Sequence, residues 1–118
     1  MAKQDPTSYL PLKRAEFHIL LVLAGDEQHG YSIMQEVAVL TDGTIRLGAG
    51  TLYTAIKRMV DAGLITESDN RPDPALDDQR RRYYRLTELG RRVAVAEAQR
   101  LAQLVDIARA RRLLEQGS

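Results

Sequence analysis

Leu47-Gly-Ala-Gly-Thr-Leu-Tyr-Thr-Ala-Ile-Lys-Arg-Met-Val-Asp-Ala-Gly-Leu-Ile65 and, 15 residues on, Arg80-Arg-Arg-Tyr-Tyr-Arg-Leu-Thr-Glu-Leu-Gly90 are the most informative stretches of the chain. Gly48 and Gly50 mark a helix start, where the Thr51 hydroxyl is the candidate cap for free backbone N–H groups. Leu52, Ile56, Met59 and Val60 then recur at helical steps and define an inward face. Thr51, Tyr53, Thr54, Lys57, Arg58 and Asp61 fall on the other side. Gly63 suits a left-handed helix stop, and Leu64-Ile-Thr66 continues as a short β-branched strand. One face packs and the other is left to meet a partner.

Residues 1–9, polar and containing Pro6, read as a flexible N-terminal arm. From Leu12, the positions Ala15, Ile19, Val22 and Leu23 predict a helix ending near Gly25; Asp26-Glu-Gln-His-Gly30 is a turn. Ile33, Met34, Val37 and Leu40 predict a second helix over Tyr31 to Leu40, and Thr44-Ile-Arg46 is a candidate short strand pairing with strands near 64–68 and 81–86. Asp69 to Asp78 carries two prolines and four aspartates and reads as an unpaired loop between those strands. Tyr84 and Leu86 share the core face of the second strand, with Tyr83 and Arg85 on the reverse. From Thr87 an unbroken helix-forming stretch runs to Leu114, roughly 40 Å at about 1.5 Å per residue. Its stripe of Ala94, Ala98, Leu101, Leu104, Val105 and Ala108 calls for a second surface, which a second copy of the chain supplies most simply.

The fold class is therefore α+β and mostly helical: a winged helix-turn-helix domain over 10–86, one long C-terminal dimerisation helix over 87–114, and a tail at 115–118. Such a domain inserts one helix into the DNA major groove while a basic hairpin reaches neighbouring phosphates.

With 118 residues and 44% hydrophobic content, one core is expected, and the absence of cysteine excludes disulfides, zinc–thiolate sites and thiol catalysis. The longest apolar run, Phe17 to Ala24, is broken by His18 and is too short for a membrane span, which predicts no membrane association and a cytoplasmic location. A net charge of +1 is uninformative, but six arginines fall between Arg80 and Arg92. His18 and His29 are isolated from carboxylates and thiols, so they read as structural, with no metal and no cofactor expected. Gly48-Ala-Gly50 lacks the third glycine and the strand–turn–helix setting of a dinucleotide fingerprint. With no P-loop, paired carboxylates or nucleophile elbow, an enzyme has no residues to work with.

His29-Gly-Tyr-Ser-Ile33, Gly50-Thr-Leu-Tyr-Thr-Ala-Ile-Lys-Arg-Met59 with Gly63-Leu-Ile65, and Arg82-Tyr-Tyr-Arg-Leu-Thr-Glu-Leu-Gly90 together resemble the PadR-like family of transcriptional regulators. The resemblance runs from about Leu10 to the end of the last helix, and the single final helix is similar to the smaller branch of the family. It implies a homodimeric repressor on a double-stranded operator of imperfect two-fold symmetry, in some members released by a small effector. It maps the recognition helix onto 49–62 and the wing onto 65–86. The candidate DNA-binding residues are Ala49, Gly50, Thr51, Tyr53, Thr54, Lys57 and Arg58, with Arg80, Arg81 and Arg82 at the wing base. The aspartates of the wing tip would be repelled by phosphates. Phe17, Tyr9 and Met34 are the candidates for lining a site for a flat aromatic effector, against a competing role in the core. The alternative reading is a winged-helix protein–protein interaction module whose third helix is a docking face. An exposed face with tyrosine and basic groups favours DNA, because a docking face calls for a larger apolar patch.

Overall fold

Local capping sets the helix boundaries. The computed structural model describes residues 5–68 and 82–115. After a 3-10 turn at Pro6–Tyr9, α1 spans Arg14–Gly25, and the Glu16 side chain closes its start by accepting the Lys13 N–H at 3.2 Å. Ile19, Leu20, Val22 and Leu23 line its inner side. α2, Gly30–Leu40, is capped by His29, whose Nδ1 accepts the Ser32 N–H at 3.1 Å. α3 spans Ala49–Asp61, and α4 spans Glu88–Ala110. Among the described residues three short strands follow: β1 at Gln28–His29, β2 at Ile65–Glu67 and β3 at Tyr83–Leu86.

The strands form an antiparallel sheet in the order β1-β3-β2, with His29 opposite Tyr83 and Thr66 opposite Arg85. The third strand is thus Gln28–His29, not Thr44–Arg46. The reason is local: the Thr41 hydroxyl donates to the Val37 carbonyl at 2.8 Å and accepts the Ile45 N–H at 3.1 Å. Asp42 and Gly43 follow with positive φ, so residues 41–45 close on themselves and cannot extend along a sheet edge.

The core joins α1, α2 and α3 to the sheet and the first half of α4, with Ile19, Leu20, Ile33, Val37, Leu52, Met59, Ile65 and Val93 buried. Burying each such aliphatic side chain contributes about 1.5–3 kcal/mol of transfer free energy. Tyr84 is buried and Leu86 packs beside it, as the strand alternation predicts.

Thr87 welds α4 to the strands. Its Oγ1 accepts the Gly90 N–H at 2.9 Å and donates to the Gly63 carbonyl at 2.6 Å, while its own N–H reaches the Leu64 carbonyl at 3.1 Å. Gly90 is needed here because a Cβ would lie 1.8 Å from the Leu64 carbonyl oxygen. The helix stops at Ala110 rather than Leu114, since Arg112 adopts φ 63° and the Leu113 N–H turns back to the Ala108 carbonyl. No described helix is long and apolar enough to cross a membrane.

Candidate nucleic-acid interface

α3 is sharply two-sided. Leu52, Ala55, Ile56 and Met59 are buried, whereas Ala49, Gly50, Thr51, Thr54, Lys57, Arg58 and Asp61 are exposed. The expected inner face needs one change: Val60 is 39% exposed, and Ala55 takes its place in the core. At 100° per residue Ala55 lies about 40° beyond Met59, at one edge of the buried sector centred near Leu52 and Met59, while Val60 lies about 40° beyond Ile56, past its other edge. The helix begins two residues before Thr51, with Gly48 as its N-cap, so Thr51 sits within the first turn and its hydroxyl does not cap it. At the far end Gly63 has φ +82°, and the Leu64 N–H bonds to the Met59 carbonyl at 2.9 Å, ending α3 where sequence predicts.

Tyr53 occupies a different position from its neighbours on the exposed face. It is half-buried and packs on the core, and its ring lies so close to Gly30 that a Cβ there would be 2.7 Å from the Tyr53 hydroxyl. The aromatic ring therefore braces α3 against the start of α2. The exposed surface is carried by Thr51, Thr54, Lys57 and Arg58.

Two of those side chains are already partnered. Lys57 Nζ is 3.4 Å from Asp61 Oδ2 one turn on, both side chains being well exposed. Arg58 Nη1 is 3.3 Å from Oε2 of Glu16, whose side chain is only 10% exposed and whose other oxygen holds the Lys13 N–H. A shallow cleft lies between the start of α1 and the outer face of α3, lined by Lys13, Glu16, Gly50, Thr51, Thr54 and Arg58.

Beside α3, β2 and β3 form the base of the wing. Arg82 Nε lies 3.8 Å from Glu67 Oε1 on the neighbouring strand, and Arg85 is exposed. Arg80, Arg81 and the acidic segment 69–78 lie outside the described residues. On the reverse face the Tyr83 ring meets that of His29 edge-to-face, centroids 5.4 Å apart, so His29 joins β1, α2 and β3. His18 Nδ1 contacts the Arg14 carbonyl at 2.7 Å. Among the described residues no group of three or more histidines and carboxylates could hold a metal ion.

α4 divides its apolar stripe in two. Gly90, Val93 and Glu97 are buried against the domain, and Ala94 packs on its core. Leu101, Leu104 and Ala108 continue the same face at steps of four, three and four, yet Leu104 is 49% and Val105 37% exposed. Ala94 thus serves the chain's own core. Ile107, 56% exposed, belongs with the uncovered part. Sequence reasoning missed Glu97, which is 2% exposed, accepts the Leu12 N–H at 2.9 Å and pairs with Arg100. The Arg100 hydrogen bond holds its carboxyl below the usual glutamate range, with the Leu12 N–H adding to it and burial opposing.

A three-helix core, an exposed third helix and a two-stranded wing define a winged helix-turn-helix protein. The model of the transcriptional regulator PadR-like family matches residues 19–96, and the chain belongs to that family. It is thus a transcriptional regulator and not an enzyme. No curated protein matches it. Its fold is similar to a PadR family regulator from Clostridium difficile, at 24% identity and TM-score 0.68 over 83% of this chain and 97% of that one. A transcriptional regulator from Clostridium thermocellum matches at 22% identity and TM-score 0.67, over 86% and 91% of the two chains. PadR from Bacillus subtilis, solved in complex with operator DNA, matches at 22% identity and TM-score 0.62, over 73% of this chain and 47% of that one.

Proposed function

We propose that the protein is a homodimeric repressor that binds a pseudo-palindromic DNA operator, with α3 in the major groove and the base of the wing beside it. The observation that carries this reading is the exposed face of α3. Thr51, Thr54, Lys57 and Arg58 present hydroxyls and cations along one side of a helix whose opposite side is fully buried. Family membership supports the reading, as does the fold shared with a relative solved on its operator. A protein-docking role for α3 is disfavoured, because Val60 is its sole large apolar side chain among the exposed ones. In this proposal Ala49, Gly50, Thr51 and Thr54 approach base edges, and Arg80, Arg81 and Arg82 meet phosphates.

The uncovered half of α4 supports the dimer. Leu101, Leu104, Val105, Ile107 and Ala108 extend past the domain core, and a second α4 about a two-fold axis covers them. Release by a small effector is the family's implication; of its three candidate residues, Tyr9 and Met34 pack on the core and Phe17 is half-buried outside it.

The test is selection of duplexes from a random-sequence pool, followed by footprinting. Two α3 helices on one side of the duplex demand half-site centres about 34 Å, roughly 10 base pairs, apart. An inverted repeat whose affinity collapses to that of one half-site on inserting about five base pairs, half a turn, is the expected result. An asymmetric footprint indifferent to the insertion would overturn it.

A further inference from the structure

The cations of α3 are held by carboxylates, but three cations beside its first turn are not. Lys13 and Arg14 open α1, and Arg46 lies in the loop before α3; all three are exposed. Among the described residues none of them has an acidic partner, whereas Lys57 is paired with Asp61 and Arg58 with Glu16. Two clefts share Thr51 as a common wall. Lys13 lines one with Gly50 and Thr54, and Arg14 and Arg46 line the other with Thr44 and Gly48. The unpaired cations therefore flank the exposed face of α3 at its N-terminal end, the end that enters deepest when a recognition helix leads with its first turns.

We infer that Lys13, Arg14 and Arg46 form a phosphate-binding rim that clamps the DNA backbone around the start of α3, distinct from the wing arginines and from Lys57 and Arg58. The inference rests on the DNA-binding reading above. Competition for each cation separates the two sets. A phosphate approaching Lys57 or Arg58 must displace a carboxylate already in place and meets its negative charge, while a phosphate at the rim meets cations with only water to lose. Backbone contacts of this kind fix register and strengthen binding to any sequence, leaving base choice to α3.

The experiment compares the full-length protein with the triple variant K13Q/R14Q/R46Q. Fluorescence anisotropy follows binding to a selected duplex and to a mixed-sequence duplex between roughly 50 and 200 mM salt. These substitutions leave intact the backbone groups used locally, the Lys13 N–H to Glu16 and the Arg14 carbonyl to His18. Matching circular dichroism and thermal melting verify the fold. The slope of log affinity against log salt should become shallower by about 0.9 for each lost contact, hence by about 2.7 in the triple variant, equally on both duplexes. The ratio of the two affinities should stay within about threefold, since phosphate contacts carry no sequence information. The K57Q variant should change the slope by less than one contact.

A well-folded triple variant with the wild-type slope, while wild type binds DNA with strong salt dependence, overturns the rim and leaves the DNA-binding reading standing. Wild-type protein without salt-dependent binding to either duplex overturns both. Should the triple variant fail to fold, the single variant R46Q, in a loop outside every helix, carries the test: a change of about 0.9 supports the rim and an unchanged slope refutes it.

Discussion

Glu97→Ala tests the assignment that matters most to how α4 is attached. The carboxylate is 2% exposed and accepts the Leu12 N–H at 2.9 Å, joining positions 85 residues apart in the chain, and Arg100 holds its other side. Hydrogen bonds to charged groups contribute about 1.5–3 kcal/mol, so removing the carboxylate should cost about 2–3 kcal/mol once the void is included. That is a loss of roughly 30-fold or more in the folded-to-unfolded ratio. Glu97→Gln keeps the volume and an acceptor for Leu12; since charge-assisted bonds are roughly twice as strong as neutral ones, it should cost about half as much. Urea unfolding at one fixed protein concentration measures both, and amide exchange at Leu12 reports the bond directly. Acid sensitivity adds an independent reading. The carboxyl is depressed in the folded state, chiefly by Arg100, so its stabilisation is complete above the ordinary glutamate range of the unfolded chain and is lost as pH falls through the lower folded value. Glu97→Gln should flatten this part of the acid limb. Alanine within about 0.5 kcal/mol of wild type, with Leu12 equally protected, would show that Glu97 does not hold α4 to the Leu12 segment.

Gly90→Ala forces a Cβ to within 1.8 Å of the Leu64 carbonyl oxygen. Because the obstacle is backbone, the loss should exceed the about 1–3 kcal/mol of ordinary overpacking, and a thermal melt unchanged from wild type would contradict the close approach of α4 to β2. Leu104→Glu puts a charge on the uncovered half of α4 and should convert the proposed dimer to monomer at micromolar concentration without lowering monomer helicity; sedimentation as the wild-type dimer would remove Leu104 from the interface. Tyr53→Ala should lower stability by about 1–2 kcal/mol, less than for a fully buried aromatic, whereas Thr54→Ala should leave stability intact and alter the selected DNA sequence. A stable Tyr53→Ala protein would argue against the ring's bracing role beside Gly30.

The legible parts of the fold were those written in short-range patterns. Leu52, Ile56 and Met59 of the inner face of α3, the stop at Gly63 and the alternation of Tyr84 and Leu86 each follow from spacing alone and are present, whereas Val60, counted on that face, is exposed. What escaped is decided by distant partners. Gln28–His29 is a two-residue strand in a polar stretch with no β pattern; it exists because β3 offers a free edge there. Thr44–Arg46 looks extended by residue type, but the hydroxyl three positions upstream and the left-handed pair Asp42 and Gly43 close a local turn instead. Tyr53 falls on the polar side of α3 by counting, yet the glycine opposite it leaves room for the ring to fold onto the core. Some signals were available. Asp61 follows Lys57 by four residues, a spacing that predicts their pairing, and Glu97 interrupts the apolar face running from Val93 to Leu101.

The two buried glutamates give residues 12–16 a significance that neither composition nor periodicity conveys. Glu97 on α4 accepts the Leu12 N–H; Glu16 accepts the next N–H, from Lys13, and its second oxygen holds Arg58 on α3. The segment entering α1 therefore touches the helix proposed to join two copies, through the Leu12 N–H, and the helix proposed to read DNA, through the Glu16–Arg58 pair. Both carboxylates are largely shielded from solvent, where losing a partner leaves a polar group unsatisfied and costs about 1–3 kcal/mol, so neither bond yields easily while the core is intact. An apolar side chain at either glutamate could fill the space but not bond the Leu12 or Lys13 N–H. Glu97 thus ties Leu12 to α4 and Glu16 ties the first turn of α1 to α3, polar links that add to the apolar core in placing Lys13 and Arg14 beside Thr51.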